Sequence, residues 1–425
     1  MLFKKKIFLT LLFFSFFTLL FARPEITLEQ ALKQALDNNS DLQKQALTLA
    51  TAEKNFKSSW NAFLPTISLS ARGTYSHGSN TSANTFSWNG SGGISFSFNG
   101  AIPSQLQQLK NTYTIEQLSY SKLKTEIENS VSIAFFSLLG EQLNLSILQE
   151  NLTITQKQFI ELEKKYQRGL ASELEMLKAQ YAYESTKPQI QKAESTYETN
   201  LSSFYILLGL KDSNYRPIPV GNFDYKTINL PQSNKLIETY LQNRYDVQLQ
   251  DLLVKNAQLA YTIQKAKLKT PTLSLNENAT INKSGFSGSL SASISMPINS
   301  FIPGSSDNLA LKNLETAITK AEITQTTTVQ NATKDITAKT QEITRLQEGI
   351  DLAQMNENIA KRAYELSQQG YNAGLISQTD QDTTRQQLIS SQQQVLQAKI
   401  NYITSLYNLS QALQLSVDEL YTAFK

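Results

Sequence analysis

An internal repeat limits what this chain can fold into more than any other feature of its sequence. Three short motifs occur twice, and each second copy follows its first at nearly the same distance. The matched segments are 39–42 with 244–247, 64–69 with 270–275, and 166–172 with 371–377, at offsets of 205, 206 and 205 residues. Three matches at one period indicate two copies of a single structural unit.

Each copy is predicted to contain a helix, a pair of strands, a long helix, a tight turn and a return helix. Repeat 1 covers residues 23–210, with its strand pair at 65–98, its long helix at 103–168 and its tip turn at 169–172. Repeat 2 covers residues 235–425, with its strand pair at 271–296, its long helix at 305–373 and its tip turn at 374–377. Residues 211–234 hold three prolines and are predicted to be an irregular linker between the repeats.

The first 22 residues have the three parts of a secretory signal peptide. Three lysines at 4–6 precede an apolar run from Ile7 to Leu20, and we expect cleavage after Ala22. A membrane anchor is the alternative, but a run of 14 residues reaches only about 21 Å, which is short of the ~30 Å hydrocarbon core. No later segment is expected to span a membrane as a helix, so any membrane contact must come from strands.

Four segments alternate between apolar and small polar residues, which predicts strands with one apolar and one polar face. They run from Thr66 to Tyr75, Phe86 to Phe98, Leu273 to Ile281 and Phe286 to Met296. Their lengths suit the about 9 to 11 residues that cross a bilayer as a tilted strand. A soluble β-sandwich gives the same alternation, but the rest of the chain supplies no strands for a second sheet.

The long helices carry apolar residues in steps of three, four and seven. The stripe from Leu106 to Tyr166 follows eight heptads with one four-residue stutter, and the stripe from Leu311 to Ile350 is narrower. Narrow stripes suit helices in the wall of a hollow tube, which meet water on two sides. The expected fold class is therefore mainly α with transmembrane β: coiled-coil-like helices and four strands per chain.

Composition excludes most other functions. After removal of three signal-peptide lysines, 36 basic residues balance 36 acidic ones, so a nucleic-acid-binding surface is not indicated. The chain has no cysteine and one histidine, His77, which lies in a Ser/Gly/Asn-rich loop where nothing would orient its ring. We therefore expect no metal site, no cofactor and no catalytic residue, and we do not expect an enzyme.

Several motifs carry a resemblance to a known family. They are the opening pattern at 27–32 and 35–42, Leu64-Pro65 before the first strand, the two Tyr-x-x-Gly-Leu turns at 166–170 and 371–375, and Leu-Leu-Gly-Leu at 207–210. Through them the mature chain resembles the TolC family, the outer membrane factors of tripartite efflux and type I secretion systems. Two departures are the second repeat's ending at 409–413, which lacks the glycine, and the missing cysteine that anchors many relatives through lipid.

This resemblance implies a passive exit duct in the outer membrane with a periplasmic extension. It implies a homotrimer with a 12-stranded β-barrel and a periplasmic α-barrel, which works with a periplasmic adaptor protein and, indirectly, an inner-membrane pump. The residues alone also favour assembly, because four strands leave two open edges that lipid does not tolerate. Two chains would supply eight strands and three would supply twelve, and a conducting interior favours twelve. A secreted coiled-coil structural protein or adhesin is the alternative, and the substrate is not specified.

The two turns are the candidate functional sites. By resemblance, Asp380, six residues after Gly374, would line the periplasmic gate with Glu175, and Tyr371 matches a tyrosine of the closed-state lock. The alternative for both acids is capping, since 172–175 and 377–380 fit capping boxes. Thr383 and Ile376 stand where some relatives place a second acid and an arginine, so the resemblance implies one acidic ring.

The same turns resemble the tips that adaptor proteins grip. The residues concerned are Gly169, Leu170, Gly374 and Leu375. A glycine at these positions can take the left-handed conformation that ends a helix. The alternative is that each leucine packs back on its own helix, as hydrophobic residues near such caps often do.

Overall fold

The structure is a computed structural model, and it describes residues 23–77, 85–211 and 215–425. The predicted signal peptide and most of the loop after His77 lie outside these ranges. The helices are α1 (Leu28–Asn38), α2 (Ser40–Lys57), α3 (Ile102–Gln167), α4 (Glu173–Leu207), α5 (Ser233–Tyr240), α6 (Tyr245–Lys269), α7 (Ser306–Asn372), α8 (Gln378–Leu413) and α9 (Val417–Ala423). The strands are β1 (Glu25–Ile26), β2 (Thr66–Ser76), β3 (Thr85–Phe98), β4 (Ile218–Pro219), β5 (Thr272–Asn282) and β6 (Gly285–Ser295).

The chain divides into two compact units. The strand unit consists of the described residues within 44–121 and 245–332, and the helical unit of those within 23–43, 122–244 and 333–425. Three of the four boundaries fall inside α2, α3 and α7, and the fourth lies at the start of α6. The fold class expected from the sequence, mainly helical with a sheet, is confirmed.

The strand unit is built on one antiparallel sheet of four strands in the order β2-β3-β5-β6. Thr66 pairs with Ser95, Phe98 with Leu273, and Thr272 with Ser295. Two hairpins therefore lie side by side, and the chain enters and leaves both of them at the same end of the strands. Among the described strands, β2 pairs only with β3 and β6 only with β5, which leaves two open edges.

One face of this sheet is apolar and exposed. Side chains that pair across strands share a face, and Leu69, which is 90% exposed, lies on the face that also carries Ile94, Phe286 and Ile294. The opposite face carries serines and asparagines, such as Ser70 and Ser91, whose hydroxyl oxygens lie 2.7 Å apart. No second sheet covers the apolar face in the described part of the strand unit.

The helical unit has a continuous core formed mainly by α7 and α8. Its fully buried members include Ile336, Ile343 and Ile350 of α7 and Tyr402 and Leu406 of α8. The segment predicted to be an irregular linker is tied to this unit, because β4 pairs in parallel with β1 and the Tyr402 hydroxyl donates a 2.8 Å hydrogen bond to the Lys226 carbonyl. The range 211–234 contains this two-residue strand and the first residues of α5, and the rest of its described part has neither helix nor strand.

The internal repeat is visible in equivalent contacts of the helical unit. In the first copy, the Asn39 side chain donates a 3.0 Å hydrogen bond to the Leu207 carbonyl at the end of α4. In the second copy, Arg244 donates a 3.4 Å hydrogen bond to the Ala412 carbonyl at the end of α8. Donor and acceptor are 168 residues apart in both cases, so one sequence motif closes the end of each copy against its beginning.

One described helix, α3, is long and apolar enough by composition to cross a membrane, contrary to the expectation from the sequence. Its apolar residues have another explanation inside the helical unit. Val131, Phe135 and Leu138 are buried, and the Phe135 ring lies 6.4 Å from the ring of Phe204 on α4. This apolar segment therefore contributes to a packed helical core.

Candidate functional site at the helical turns

The first turn ends α3 with two hydrogen bonds that only a left-handed residue permits. Gly169 has φ +73°, and its amide donates to the Tyr166 carbonyl at 2.8 Å. The next amide, of Leu170, reaches back to the Lys165 carbonyl at 2.8 Å. This is a Schellman cap, and glycine suits it because it has no Cβ to clash at positive φ.

The second turn repeats this geometry at the end of α7. Gly374 has φ +74° and donates to the Tyr371 carbonyl at 3.0 Å, while the Leu375 amide donates to the Gly370 carbonyl at 2.8 Å. Leu170 and Leu375 are 73% and 80% exposed. A leucine packed back on its own helix would be largely buried, so the packing alternative does not describe this chain.

Both return helices begin with the capping box that the sequence predicts. The Ser172 amide and hydroxyl donate to Glu175 Oε2 at 2.8 and 2.9 Å, and the Glu175 amide donates back to the Ser172 hydroxyl at 3.2 Å. Ser377 and Asp380 form the same box, with distances of 3.2, 2.7 and 3.2 Å. The hydrogen bonds from the Ser172 backbone and side chain lower the pKa of Glu175 below its ordinary value.

The two turns lie close together in the helical unit. Lys178 of α4 donates a 3.0 Å hydrogen bond to the Thr379 hydroxyl of α8. Tyr371 is half-buried, and burial raises its pKa, which the nearby Lys165 partly offsets. The structure thus brings the predicted gate residues Asp380, Glu175 and Tyr371 to one end of the unit, with the two exposed leucines beside them.

A buried charged pair near the turns was missed by the sequence analysis. The Arg385 side chain is 7% exposed, and its Nη2 lies 3.0 Å from Asp382 Oδ1, close enough for an ion pair although the angle does not make a hydrogen bond. Its Nη1 donates to the Gln158 side chain on α3. Burial raises the pKa of Asp382, and Arg385 and Lys178 lower it in part. The sequence does contain a signal for this pair, because Asp382 and Arg385 are three residues apart on a predicted helix and such residues are neighbours on its surface.

A groove of about 880 Å³ lies between α4 and α8 just behind the turns. One side is apolar: Leu174, Leu177 and Tyr181 follow one face of α4, and all three are exposed. The other side is polar, with Thr383 and Gln386 of α8. The turns and this groove form one continuous surface of mixed character, which suits protein contact better than capture of a small ligand.

The described residues contain no group of three or more His, Asp or Glu side chains that could hold a metal ion. Each turn has one acid in a helix cap, Glu175 or Asp380, and the single histidine is exposed just after β2. The site therefore offers caps, exposed leucines and a groove rather than groups arranged for catalysis.

Comparison with known proteins places the chain in a family. The family model for outer membrane efflux proteins matches residues 31–210 and, separately, residues 236–414. The chain is 23% identical over 411 residues to the probable efflux pump outer membrane protein TtgC of Pseudomonas putida, covering 91% of this chain and 82% of that protein.

Solved structures show the same fold. The CmeC outer membrane channel of Campylobacter jejuni matches with a TM-score of 0.77 at 18% identity, over 93% of this chain and 88% of that one. The open-state MtrE outer membrane channel of Neisseria gonorrhoeae matches with a TM-score of 0.75 at 17% identity, over 92% and 89%. The resemblance read from the motifs is confirmed. Because the family model covers most of the chain, this protein belongs to the outer membrane efflux protein family and serves as an outer-membrane exit duct for efflux.

Proposed function

We propose that three copies of this chain close one 12-stranded barrel in the outer membrane and that a periplasmic adaptor docks at the helical turns. Substrates supplied by an inner-membrane pump would then leave passively through the lumen, in an efflux system or in a type I secretion system. The observation that best supports this assembly is the four-stranded sheet, whose edge strands β2 and β6 have no partner on their outer sides among the described residues. Lipid does not tolerate open edges, and twelve strands leave a conducting interior.

The apolar face of the sheet supports the same orientation in lipid. In water, a contiguous patch that includes Leu69, Phe286 and Leu290 would be costly, whereas the hydrocarbon core accommodates it. The polar face, with Ser70 and Asn276, would then line the lumen. Three copies of each face would give a barrel that is apolar outside and polar inside.

Assembly can be tested with cysteines, because the chain has none of its own. One cysteine on β2 is combined with a series of single cysteines along β6, and the oxidised protein is sized in denaturing conditions. We expect disulfide-linked dimers and trimers at one register only. The pair Ser70→Cys with Ser91→Cys, across a known register, is the control that links strands within one chain. Absence of intermolecular products at every register, with the control intact, would contradict closure through these edges.

Adaptor docking is tested at the exposed leucines. Replacing Leu170 and Leu375 with serine should abolish efflux while the yield of assembled protein in the outer membrane stays unchanged, because neither side chain is packed. Leu47→Ser, at a similarly exposed leucine of the strand unit, is the matched control and should retain efflux. Loss of assembly in the double variant would show that the leucines serve folding.

The gate is proposed to involve Asp380, Glu175 and Tyr371. If the turns of three copies converge on one axis, three Asp380 carboxylates would surround the mouth and favour cations. What supports the proposal is the position of these side chains at the same end of the helical unit as the exposed turns.

A further inference from the structure

A lysine-rich junction adjoins the end of the sheet at which the chain enters and leaves both hairpins. We define the junction as residues 54–65, 99–110, 264–271 and 296–306, which precede or follow the strands. The register places these segments side by side, since Thr66 pairs with Ser95 and Phe98 with Leu273. Two further observations place them together: Gly100 lies so close to Thr270 that an added Cβ would be 2.9 Å from the Thr270 hydroxyl, and the Ser300 hydroxyl donates to the Leu268 carbonyl at 3.0 Å.

The junction has a local charge excess in a chain that is otherwise balanced. Its four segments contain six lysines and no aspartate, glutamate or arginine. The lysines are Lys54, Lys57, Lys110, Lys265, Lys267 and Lys269. Among the described residues only Lys57 of this set forms an ion pair, with Glu53 just outside the junction. Five ammonium groups are therefore left to interact with an external anion.

The same junction exposes large apolar side chains. Two short 3₁₀ turns, Ser59–Phe63 and Asn299–Phe301, carry three of them, and three more directly flank these turns. The exposed residues are Trp60, Phe63, Leu64, Met296, Ile298, Phe301 and Ile302. Within the described part of the strand unit these side chains remain 40% to 70% exposed, whereas Ser300 is 1% exposed and holds the second turn against α6. The turns are therefore held in place while their apolar side chains point outward.

One lysine of the junction lies beside an exposed aromatic ring. The Lys269 ammonium lies 5.8 Å from the centre of the exposed Phe301 ring. Lys265 is one turn earlier on the same face of α6, because residues four apart are neighbours on a helix. Aromatic rings beside flexible lysines are typical of the membrane–water interface, where the ring lies among lipid headgroups and the ammonium reaches their phosphates.

In the proposed trimer, a neighbouring copy adjoins the segments next to β2 and β6. It brings no carboxylate within its own junction, so it leaves the charge of the lysines unbalanced. A lipid surface with net negative charge instead complements both the lysines and the apolar residues, and it continues the membrane that contacts the sheet.

We propose that the junction is a binding surface for anionic phospholipid in the leaflet that faces the periplasm, with Lys265 and Lys269 as headgroup contacts and Trp60 and Phe301 inserted beside them. This inference rests on the proposed orientation of the sheet in the membrane. It adds a lipid preference to a duct that would otherwise require only a hydrocarbon core of suitable thickness.

The test compares the full chain in nanodiscs of phosphatidylethanolamine and phosphatidylcholine with nanodiscs that also contain phosphatidylglycerol. We expect phosphatidylglycerol to raise the midpoint of thermal unfolding and to be enriched in the lipid that copurifies. Lys265→Gln with Lys269→Gln should reduce this gain by about 2 °C per lysine while leaving the midpoint in neutral discs unchanged. High salt should reduce the gain in the wild type.

The control variant Lys192→Gln with Lys361→Gln makes the same charge change at exposed lysines of the helical unit, and it should keep the full gain. The proposal is overturned if phosphatidylglycerol does not stabilise the wild type, or if both variants lose the gain equally. A lower yield of assembled protein in detergent, specific to the junction variant, would assign the surface to contacts between copies and would also overturn it. Failure of the wild type to insert into either disc would instead contradict the proposed barrel.

Discussion

The orientation of the sheet in lipid can be measured with two adjacent residues of β2. Leu69 lies on the apolar face and is level with Gly92 and, one strand further, with Ala279 near the middle of β5. Ser70 lies on the polar face, opposite Ser91. Arginine at a lipid-facing position near the bilayer midplane costs about 2 to 4 kcal/mol, whereas arginine facing a water-filled lumen costs about 0.5 kcal/mol or less.

We therefore expect Leu69→Arg to destabilise the inserted protein by about 2 to 4 kcal/mol per chain and Ser70→Arg to change its stability little. The assay is urea-induced unfolding in phospholipid vesicles, followed by tryptophan fluorescence. Both variants add the same side chain to the same strand, so β propensity and edge position are matched. Equal losses in the two variants would refute the assignment of the apolar face to lipid.

An acid on the apolar face provides a second, internal test. Glu277 pairs with Ile94 on one side and with Leu290 on the other, so its carboxylate belongs to the face that we assign to lipid. Leu290→Arg would place a guanidinium directly opposite this carboxylate. We expect Leu290→Arg to cost less than Leu69→Arg, because opposite charges that face each other across strands attract, and more strongly away from water.

The pairing is isolated by a double-mutant cycle. Glu277→Gln in the Leu290→Arg background should restore the full cost of the arginine, with a coupling energy of about 1 kcal/mol or more. Glu277→Leu alone should stabilise the inserted protein, since it removes an unpaired carboxylate from an apolar surface. Zero coupling, together with a destabilising Glu277→Leu, would place Glu277 in water and the serines toward lipid.

Three further predictions concern the helical unit. Arg385→Met should lower stability by about 1 to 3 kcal/mol, because it leaves the mostly buried Asp382 unpaired. Burial raises the pKa of Asp382, so the ionised carboxylate destabilises the fold above that raised pKa. In thermal melts, the loss should therefore shrink as the pH is lowered through this pKa. Gln414 is the one described non-glycine residue at positive φ, at 56°. Gln414→Gly should therefore raise the unfolding midpoint, by an amount that corresponds to about 0.5 to 1 kcal/mol. A lower midpoint would show that the contacts of the glutamine side chain outweigh the backbone strain. Asp380→Asn should weaken cation preference and block by multivalent cations applied from the periplasmic side in single-channel recordings, and unaltered block in a well-folded assembly would exclude Asp380 from the gate.

The sequence predicts those parts of the fold that periodicity controls. Steps of three, four and seven predict two long helices, and α3 and α7 are 66 and 67 residues long. Alternation predicts the strands, but it does not report their register, so the position of Glu277 between Ile94 and Leu290 could not be foreseen. An alternating pattern is still recognised when one of its apolar positions is charged, so the pattern did not draw attention to Glu277.

Contacts between segments far apart in the sequence also could not be predicted from local sequence patterns. The pairing of β1 with β4 joins two-residue strands nearly 200 residues apart, and neither strand is long enough to show a period. The missing glycine at the end of the second repeat was visible in the sequence, but its consequence was not: Gln414 adopts the left-handed conformation that Gly209 adopts, at φ +70°, in the first repeat. At the turns, capping chemistry depends on four consecutive residues, so Ser172 and Ser377 could be identified from the sequence alone.

Capping and gating by Asp380 are compatible because they use different oxygens. Oδ2 accepts the hydrogen bonds from the Ser377 amide and hydroxyl, whereas Oδ1 has no hydrogen-bond partner in the described part of the chain. Glu175 is arranged in the same way, with Oε2 in the cap. The cap fixes the side chain at the start of the return helix and leaves one oxygen to face a cation. Asparagine keeps an oxygen that can accept the capping hydrogen bonds but loses the charge. Asp380→Asn therefore separates the two roles: a ring of charge would disappear while the helix start remains formed.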